Sequence, residues 1–347
     1  MRNFLMLFAI ALLPFLATAQ LNELLKDPNI TWAATFESEH DFRLSSNHEP
    51  GAFQLLKVSN PDNGCANFVH DNWLAHWILK EMIAGRYKAY QDPGLSILVT
   101  HTTLVNKVST IDTVITFDPN SYEERIQVIR NDINPDDIPA FRAQQVIYYD
   151  KKSGNFKTQL LALAPMVSLT NPSGVVVGKM PLAWLAMEGS TATSLNLQNP
   201  DITWAALLND KANNLEIGKL KVVKDEWKTS IAQQLFVEAK NTKHQVESSK
   251  GFGCGKLLSK KDIENIHNAI DTVITFDPVT LVETMQVIKN EFNPAELRKV
   301  RLVQEWYFDD RKKVLVTKLK AVAPLMEDFN ESRNTKQNAW PMYFIRF

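Results

Sequence analysis

The sequence predicts an α+β protein: two tandem copies of a small antiparallel-sheet domain with helices packed on one face. Three observations predict it. Residues 112–165 align without a gap on residues 271–324, at a constant shift of 159, with 24 of 54 positions identical. Both copies carry short, alternating, β-branched segments separated by brief turns, which is the pattern of strands paired with their sequence neighbours. Amphipathic helical segments precede those strands, so helices and sheet are segregated. A second block, Ile30-Thr31-Trp32-Ala33-Ala34 against Ile202-Thr203-Trp204-Ala205-Ala206, repeats at a shift of 172 and extends the duplication upstream. A period this long marks duplicated domains rather than a solenoid.

The chain opens with a signal-peptide pattern over residues 1–19. Arg2 supplies the positive start, residues 4–16 are apolar, and Ala17-Thr18-Ala19 gives a small-x-small site before Gln20. The apolar run is shorter than the ~20 residues that a membrane span needs. No cysteine stands at the cleavage point, so a lipid-anchored N-terminus is not expected. No later segment reaches transmembrane length, and the chain is expected to be exported and not membrane-spanning. Residues 20–190 are the first copy and residues 191–347 the second, with the polar stretch 189–200 between them. Each half is long enough to bury its own core.

Within the first copy, Trp73, Leu74, Trp77, Ile78 and Met82 recur at helical spacing and stop near Gly85. Their counterparts are Trp227, Ile231, Leu235 and Phe236, and the tryptophans are expected as core anchors. A short helix follows, which Ser259 caps in the second copy with Asp262 placed to complete a capping box. Residues 112–117 and 271–276 read as strands, Asp-Pro makes a turn, and residues 127–129 and 286–288 form the returning strands. Asn134-Pro135 and Asn293-Pro294 place a cap before proline, predicting short helices that reach Phe141 and Arg298. Two further strands close each unit: 145–149 and 156–163, then 304–308 and 314–322.

Composition narrows the function. The 347 residues are 45% hydrophobic and 22% charged with a net charge of −1, so no basic footprint for nucleic acid is present. Cys65 and Cys254 do not occupy equivalent repeat positions. They either bridge or stay free, and neither has the spacing of a metal ligand. His70 and His76, with Asp71 and Cys65 nearby, are the one cluster to weigh, yet six residues on a helix put them on different faces. Asp118-Pro119 and Asp277-Pro278 offer a symmetric carboxylate pair whose simpler reading is turn formation. No hydrolase elbow, zinc motif or phosphate-binding glycine loop occurs, so no catalytic residue, metal or cofactor is expected. Trp306, Tyr307, Phe308, Tyr148 and Tyr149 are the candidate docking surface, against the alternative that they pack within the sheet.

The second copy resembles the GldN (PorN) family of gliding-motility and type IX secretion components. The residues that carry the resemblance are Leu257-Leu258-Ser259-Lys260-Lys261-Asp262-Ile263 leading into Asp271-Thr272, and then Asn293-Pro294-Ala295-Glu296-Leu297. Gln304-Glu305-Trp306-Tyr307-Phe308-Asp309 and Ala321-Val322-Ala323-Pro324-Leu325 follow in order. In the first copy, Glu81-Met82-Ile83-Ala84-Gly85-Arg86-Tyr87-Lys88-Ala89-Tyr90 is similar to the family's helix end passing into a short strand. The resemblance implies a non-catalytic periplasmic docking component. Its implied partner is an outer-membrane lipoprotein of the GldK or PorK type, within an oligomeric, ring-like assembly. It implies one such domain where this chain carries two. The competing readings are a secreted binding protein for glycan or peptide, using the groove between copies, and a secreted hydrolase using His70 or His76.

Overall fold

The computed structural model describes residues 16–43, 53–58, 72–117, 123–187, 195–209, 211–276, 278, 283–330 and 335–347. Helix α1 (Leu16–Lys26) runs through the end of the expected signal segment, and its Leu21, Leu24 and Leu25 pack against a cluster that includes Ile30, Tyr148 and Trp184. Helix α2 (Trp73–Ala84) ends where the sequence says it should. Gly85 takes the left-handed conformation (φ +66°), and a Cβ there would press on the His101 ring. Helix α3 (His101–Val108) starts at a Thr100 cap. Helices α4 (Ile231–Lys240) and α5 (Lys260–His267) both start at capping boxes, Ser230 with Gln233 and Ser259 with Asp262.

Two local expectations change. Trp227 precedes the Ser230 cap and so lies outside α4, where its ring stacks on Trp32 at 5.2 Å and its Nε1 donates to Thr31 Oγ1. The helices expected after Asn134 and Asn293 are single 3-10 turns, Pro135–Asp137 and Pro294–Glu296. The side-chain cap forms in each, but Ile138 and Leu297 are drawn into the core and the chain extends at once into the next strand.

The body is mostly antiparallel sheet. The first sheet runs in the order Lys221–Asp225, Ile30–His40, Ala140–Asp150, Asn155–Thr170, Trp184–Ala186, Ala89–Tyr90, Leu98–Val99. Residues 170–176 form a tight turn into Val176–Pro181, which pairs back on Asn155–Thr170. The second sheet runs Val246–Ser248, Tyr343–Arg346, Val314–Asn330, Lys299–Asp309, Ile202–Leu208, Phe53–Val58.

The halves therefore exchange strands. Phe53–Val58 belongs to the first half in sequence but pairs with Ile202–Leu208 of the second, Trp204 opposite Val58 and Leu208 opposite Phe53. Reciprocally, Lys221–Asp225 pairs with Ile30–His40, Trp32 opposite Asp225 and Thr35 opposite Lys221. The cores follow the strands. Trp73 of α2 stacks on Trp204 at 5.8 Å and Trp77 lies 4.4 Å from Phe308, both on the second sheet. The apolar face of α4 joins one cluster with Trp32, Phe36 and Phe156 of the first half and Val300 and Leu302 of the second. The main core clusters thus draw on both halves. Each copy leaves a sheet edge and an aromatic face that only the other copy covers.

Candidate functional site

The aromatic block proposed from sequence is not a surface. Trp306 and Phe308 are 0% exposed, and Tyr307 and Tyr148 are buried as well. The reason is register. Tyr307 and Phe308 point to opposite faces of a strand flanked by two others, and each face is covered, Phe308 by the cluster that includes Trp73 and Trp77 and Tyr307 by the one with Ile202, Ala205 and Val316. Burial raises the Tyr148 hydroxyl to about 12, as expected of a phenol kept from water. Tyr149 is half-buried and faces the other half of the chain. Its hydroxyl donates to Glu238 Oε1 at 2.8 Å, and its ring packs edge-on to Phe156 and Trp227. Burial first, and then the Glu238 carboxylate, push its hydroxyl above the ordinary phenol range.

Glu238 is the polar residue that sequence reading missed. It sits among Leu235, Phe236 and Ala239 on α4, fully inside. Burial disfavours its charge, but His244 (3.0 Å), Tyr149 and Gln234 (2.7 Å) all bond the carboxylate and hold it below the usual range. The available signal was a lone acid at an apolar helical position, which requires buried partners. The group fastens α4 to Ala140–Asp150 of the first half, and no open pocket reaches it in the described contacts.

A second buried polar group lies between the sheets. Gln145 and Gln304 occupy equivalent positions, each at the β-bulge of its long hairpin. Register shifts between Gln144 and Gln145 in one copy and between Val303 and Gln304 in the other. Gln304 Nε2 donates to Gln145 Oε1 at 2.8 Å and to Thr158 Oγ1 at 3.1 Å, and Gln145 Nε2 donates to Ser38 Oγ at 3.1 Å. His40 Nε2 meets the same Ser38 hydroxyl at 2.8 Å, and burial drops its pKa to about 4. A Ser–His contact of this kind suggests nucleophile activation, but both groups are sealed in core.

The other candidates from sequence do not converge. His76 Nε2 lies 3.3 Å from Asp136 Oδ1, tying α2 to the 3-10 turn, while His70, Asp71, Cys65, Asp118, Pro119 and Asp277 lie outside the described residues. Cys254 is an exposed free thiol. Among the described residues no three His, Cys, Asp or Glu side chains are grouped as metal ligands. A cleft of about 320 Å³ lies on the seam between halves, lined by Thr35, Glu37 and Gln144 on one side and Asn214, Glu216 and Lys219 on the other.

Two hairpins carry clusters of exposed apolar side chains. Ser109–Phe117 pairs with Glu124–Asp132, and Asn268–Phe276 pairs with Glu283–Glu291. Each forms a two-stranded sheet of its own. Nine residues of strand span roughly 30 Å. Each arm leaves directly from the end of a helix. At its base the same hydrogen bond closes it, Ile133 N to Val108 O at 2.8 Å and Phe292 N to His267 O at 2.7 Å. In the first arm Ile111 (69% exposed), Ile115 (55%), Phe117 (60%), Ile126 (69%) and Val128 (64%) share one face by register. The opposite face is mostly polar, with Val114 and Ile129 among Thr110, Asp112, Thr116, Arg125, Gln127 and Asn131, and Asn131 donates to Asp112 at 2.7 Å. The second arm places Ile270, Ile274, Phe276, Met285 and Val287 at the equivalent positions, and Ile274 and Met285 are more than half exposed.

Comparison with known proteins adds a family to this geometry. No curated protein matches the chain. The family model described as "Gliding motility associated protein GldN" matches twice, over residues 53–210 and 207–347. The two matches fall on the two interlocked halves and take in both arms. The chain thus belongs to the GldN family, as a two-copy member, and is a gliding-motility and type IX secretion-associated protein.

Proposed function

We propose that this chain is a non-catalytic docking component of the type IX secretion and gliding machinery. In this reading it works in the periplasm after export on its N-terminal signal, and it is held at the outer membrane by a lipoprotein of the GldK or PorK type. The observation that carries the reading is the double family match over a body whose halves are joined through the buried Gln145–Gln304 and Tyr149–Glu238 bonds. Glu238, Gln145, Gln304 and His40 are spent on internal bonds, and the outward features are sheet edges and hairpins suited to holding another protein. The test is co-purification of the chain with a GldK-type lipoprotein from a type IX-secreting cell, using a tag on either protein. Reciprocal recovery is expected. Loss of the lipoprotein under conditions that keep other complexes of the machinery intact would overturn the reading.

The seam cleft supports a second reading, glycan or peptide binding. Its lining alternates carboxylate, amide and ammonium groups beside the Phe36 ring, as a carbohydrate site does. A dose-dependent rise in melting temperature with peptidoglycan fragments would support it, and flat responses across a glycan panel would end it.

A further inference from the structure

The turn between the two long strands of each half is met by chain that leaves a helix of the other half. Turn 150–154 is met by the segment after α4, where Lys243 donates to Ser153 O. Turn 309–313 is met by the segment after α2, where Tyr87 donates to Lys313 O. The duplication relates the two places, yet they are built differently. At the first, His244 bonds Glu238, and the Phe347 ring packs against His244 (4.9 Å) and Phe156 (5.5 Å). Rings and internal bonds take up that place. At the second lies an open cleft of about 310 Å³, whose polar lining is Gln20, Arg86, Tyr87, Lys88, Lys312 and Lys313.

The cations of this cleft are placed at a cost that packing does not require. Lys313 holds the left-handed backbone (φ +55°) that the first turn gives to Gly154 (φ +62°). Glycine adopts that conformation freely and lysine does not. A Cβ on Gly154 would lie 2.8 Å from Lys243 Nζ, whereas the matching position carries a lysine along the cleft. Ser153 is replaced in the same way by Lys312. In the helices, Leu74, Ala75, Ile78 and Leu79 match Ile231, Ala232, Leu235 and Phe236 at a shift of 157, which sets Glu81 where α4 has Glu238. Both acids are buried. Glu238 is bonded by groups that close over it, but Glu81 Oε1 holds Arg86 at 3.1 Å, and that guanidinium lines the cleft.

Four cations thus converge on one opening that no carboxylate lines. Lys312 leans on Asp309 (3.6 Å), Lys313 on Asp310 (2.6 Å) and Arg86 on Glu81, all outside the lining. Lys88 has no ion pair among the described residues. The apolar lining is small, Ala186 and Val314 beside the Tyr87 ring, which suits a polar ligand. A doubly charged group with several acceptor oxygens satisfies such a cluster, Arg86 offering paired donors and the lysines point charges. A cleft of this volume admits a phosphate with a small polar carrier.

We infer that this cleft binds a phosphate monoester, carried either on a small soluble molecule or as the headgroup of an anionic lipid. The site uses neither the seam cleft nor the hairpins, and it stands whether or not a lipoprotein partner docks.

The test titrates the chain at fixed ionic strength with glucose 1-phosphate and with glucose, by calorimetry. In parallel, flotation compares phosphatidylcholine vesicles with and without phosphatidic acid. One-site saturation by glucose 1-phosphate, with glucose silent, assigns a soluble ester. Flotation that requires phosphatidic acid assigns a lipid headgroup. Lys313→Gly installs the residue of the first turn, so it is expected to keep or raise the melting temperature. It is expected at the same time to weaken the binding by about tenfold, as loss of one charge-assisted contact implies. Lys88→Gln is expected to weaken it similarly at an unchanged melting temperature. Absence of binding in both arms, or undiminished binding by the double variant Lys88→Gln with Lys313→Gly, would overturn the inference.

Discussion

Gln304 donates its side-chain amide to the side-chain carbonyl of Gln145 at 2.8 Å, joining the two residues that the duplication places at the same point. The contact breaks the symmetry it sits on, because an amide pair sharing one bond has a donor side and an acceptor side. Gln304 takes Thr158 as its other acceptor, whereas the equivalent hydroxyl, Thr317 Oγ1, has no hydrogen-bond partner. Replacing Gln145 by Leu strands a fully buried donor and is expected to cost about 1–3 kcal/mol. The double change Gln145→Leu with Gln304→Leu is expected to cost less than the two singles together, a coupling that a denaturant double-mutant cycle measures.

Neither half is expected to fold alone. Residues 20–190 lack the strand that covers Ile30–His40, and residues 191–347 lack the strand that covers Ile202–Leu208. Each fragment is expected to show no cooperative melt by near-ultraviolet dichroism. Co-expressed, the two should purify together in equal amounts. A single fragment with a sharp transition would contradict the exchange.

Trp73 carries the aromatic contact from the first half to the second sheet. Trp73→Ala is expected to cost about 3–5 kcal/mol, because it opens a cavity against Trp204 and Phe308. Tyr149→Phe removes one bond to Glu238 and leaves its His244 and Gln234 bonds, for about 1 kcal/mol. Urea midpoints at constant slope would rank the two.

Acid weakens the fold in two stages. Burial lowers both His40 and His267 from 6.5 to about 4. Between these values the unfolded chain binds protons that the folded chain does not, so stability falls as pH drops from about 6.5 to about 4, then levels off for these groups. Each contributes a slope of about 1.4 kcal/mol per pH unit inside that window. His40→Gln is expected to remove one such slope. Asp150 acts at lower pH. Burial opposes its charge, but Lys157 and Ser153 hold its carboxyl at about 2, and the stability it supplies above 3.8 is lost as pH falls to that value. Chemical denaturation at a series of pH values separates the stages.

Much of this architecture is legible in the sequence because it is local. The Gly85 stop, the Ser259–Asp262 box and the Asn134 and Asn293 caps are decided within a turn of chain, and they fall where the residues place them. Strand pairing after Asp112 and Asp271 follows from adjacency. What sequence did not show is non-local. Nothing in residues 53–58 states that their partner lies near Trp204. Trp306 and Phe308 read as docking aromatics only until Phe42 is seen against Trp306 and α2 against Phe308, both from the other half. Apolar alternation also reads the same in a half-buried strand as in the exposed arms, so Ile111 and Ile126 gave no sequence sign of facing solvent.

The exchanged strands set an order on folding. The edge offered by Phe53–Val58 has no mate until residue 208 exists, more than a hundred residues later along the chain. A polypeptide delivered from its N-terminus must hold that edge and the tryptophan face of α2 uncovered while more than a hundred further residues are made. Contacts this remote close slowly. The interval before closure is when a chaperone has most to protect, and when two nascent chains are most apt to trade halves.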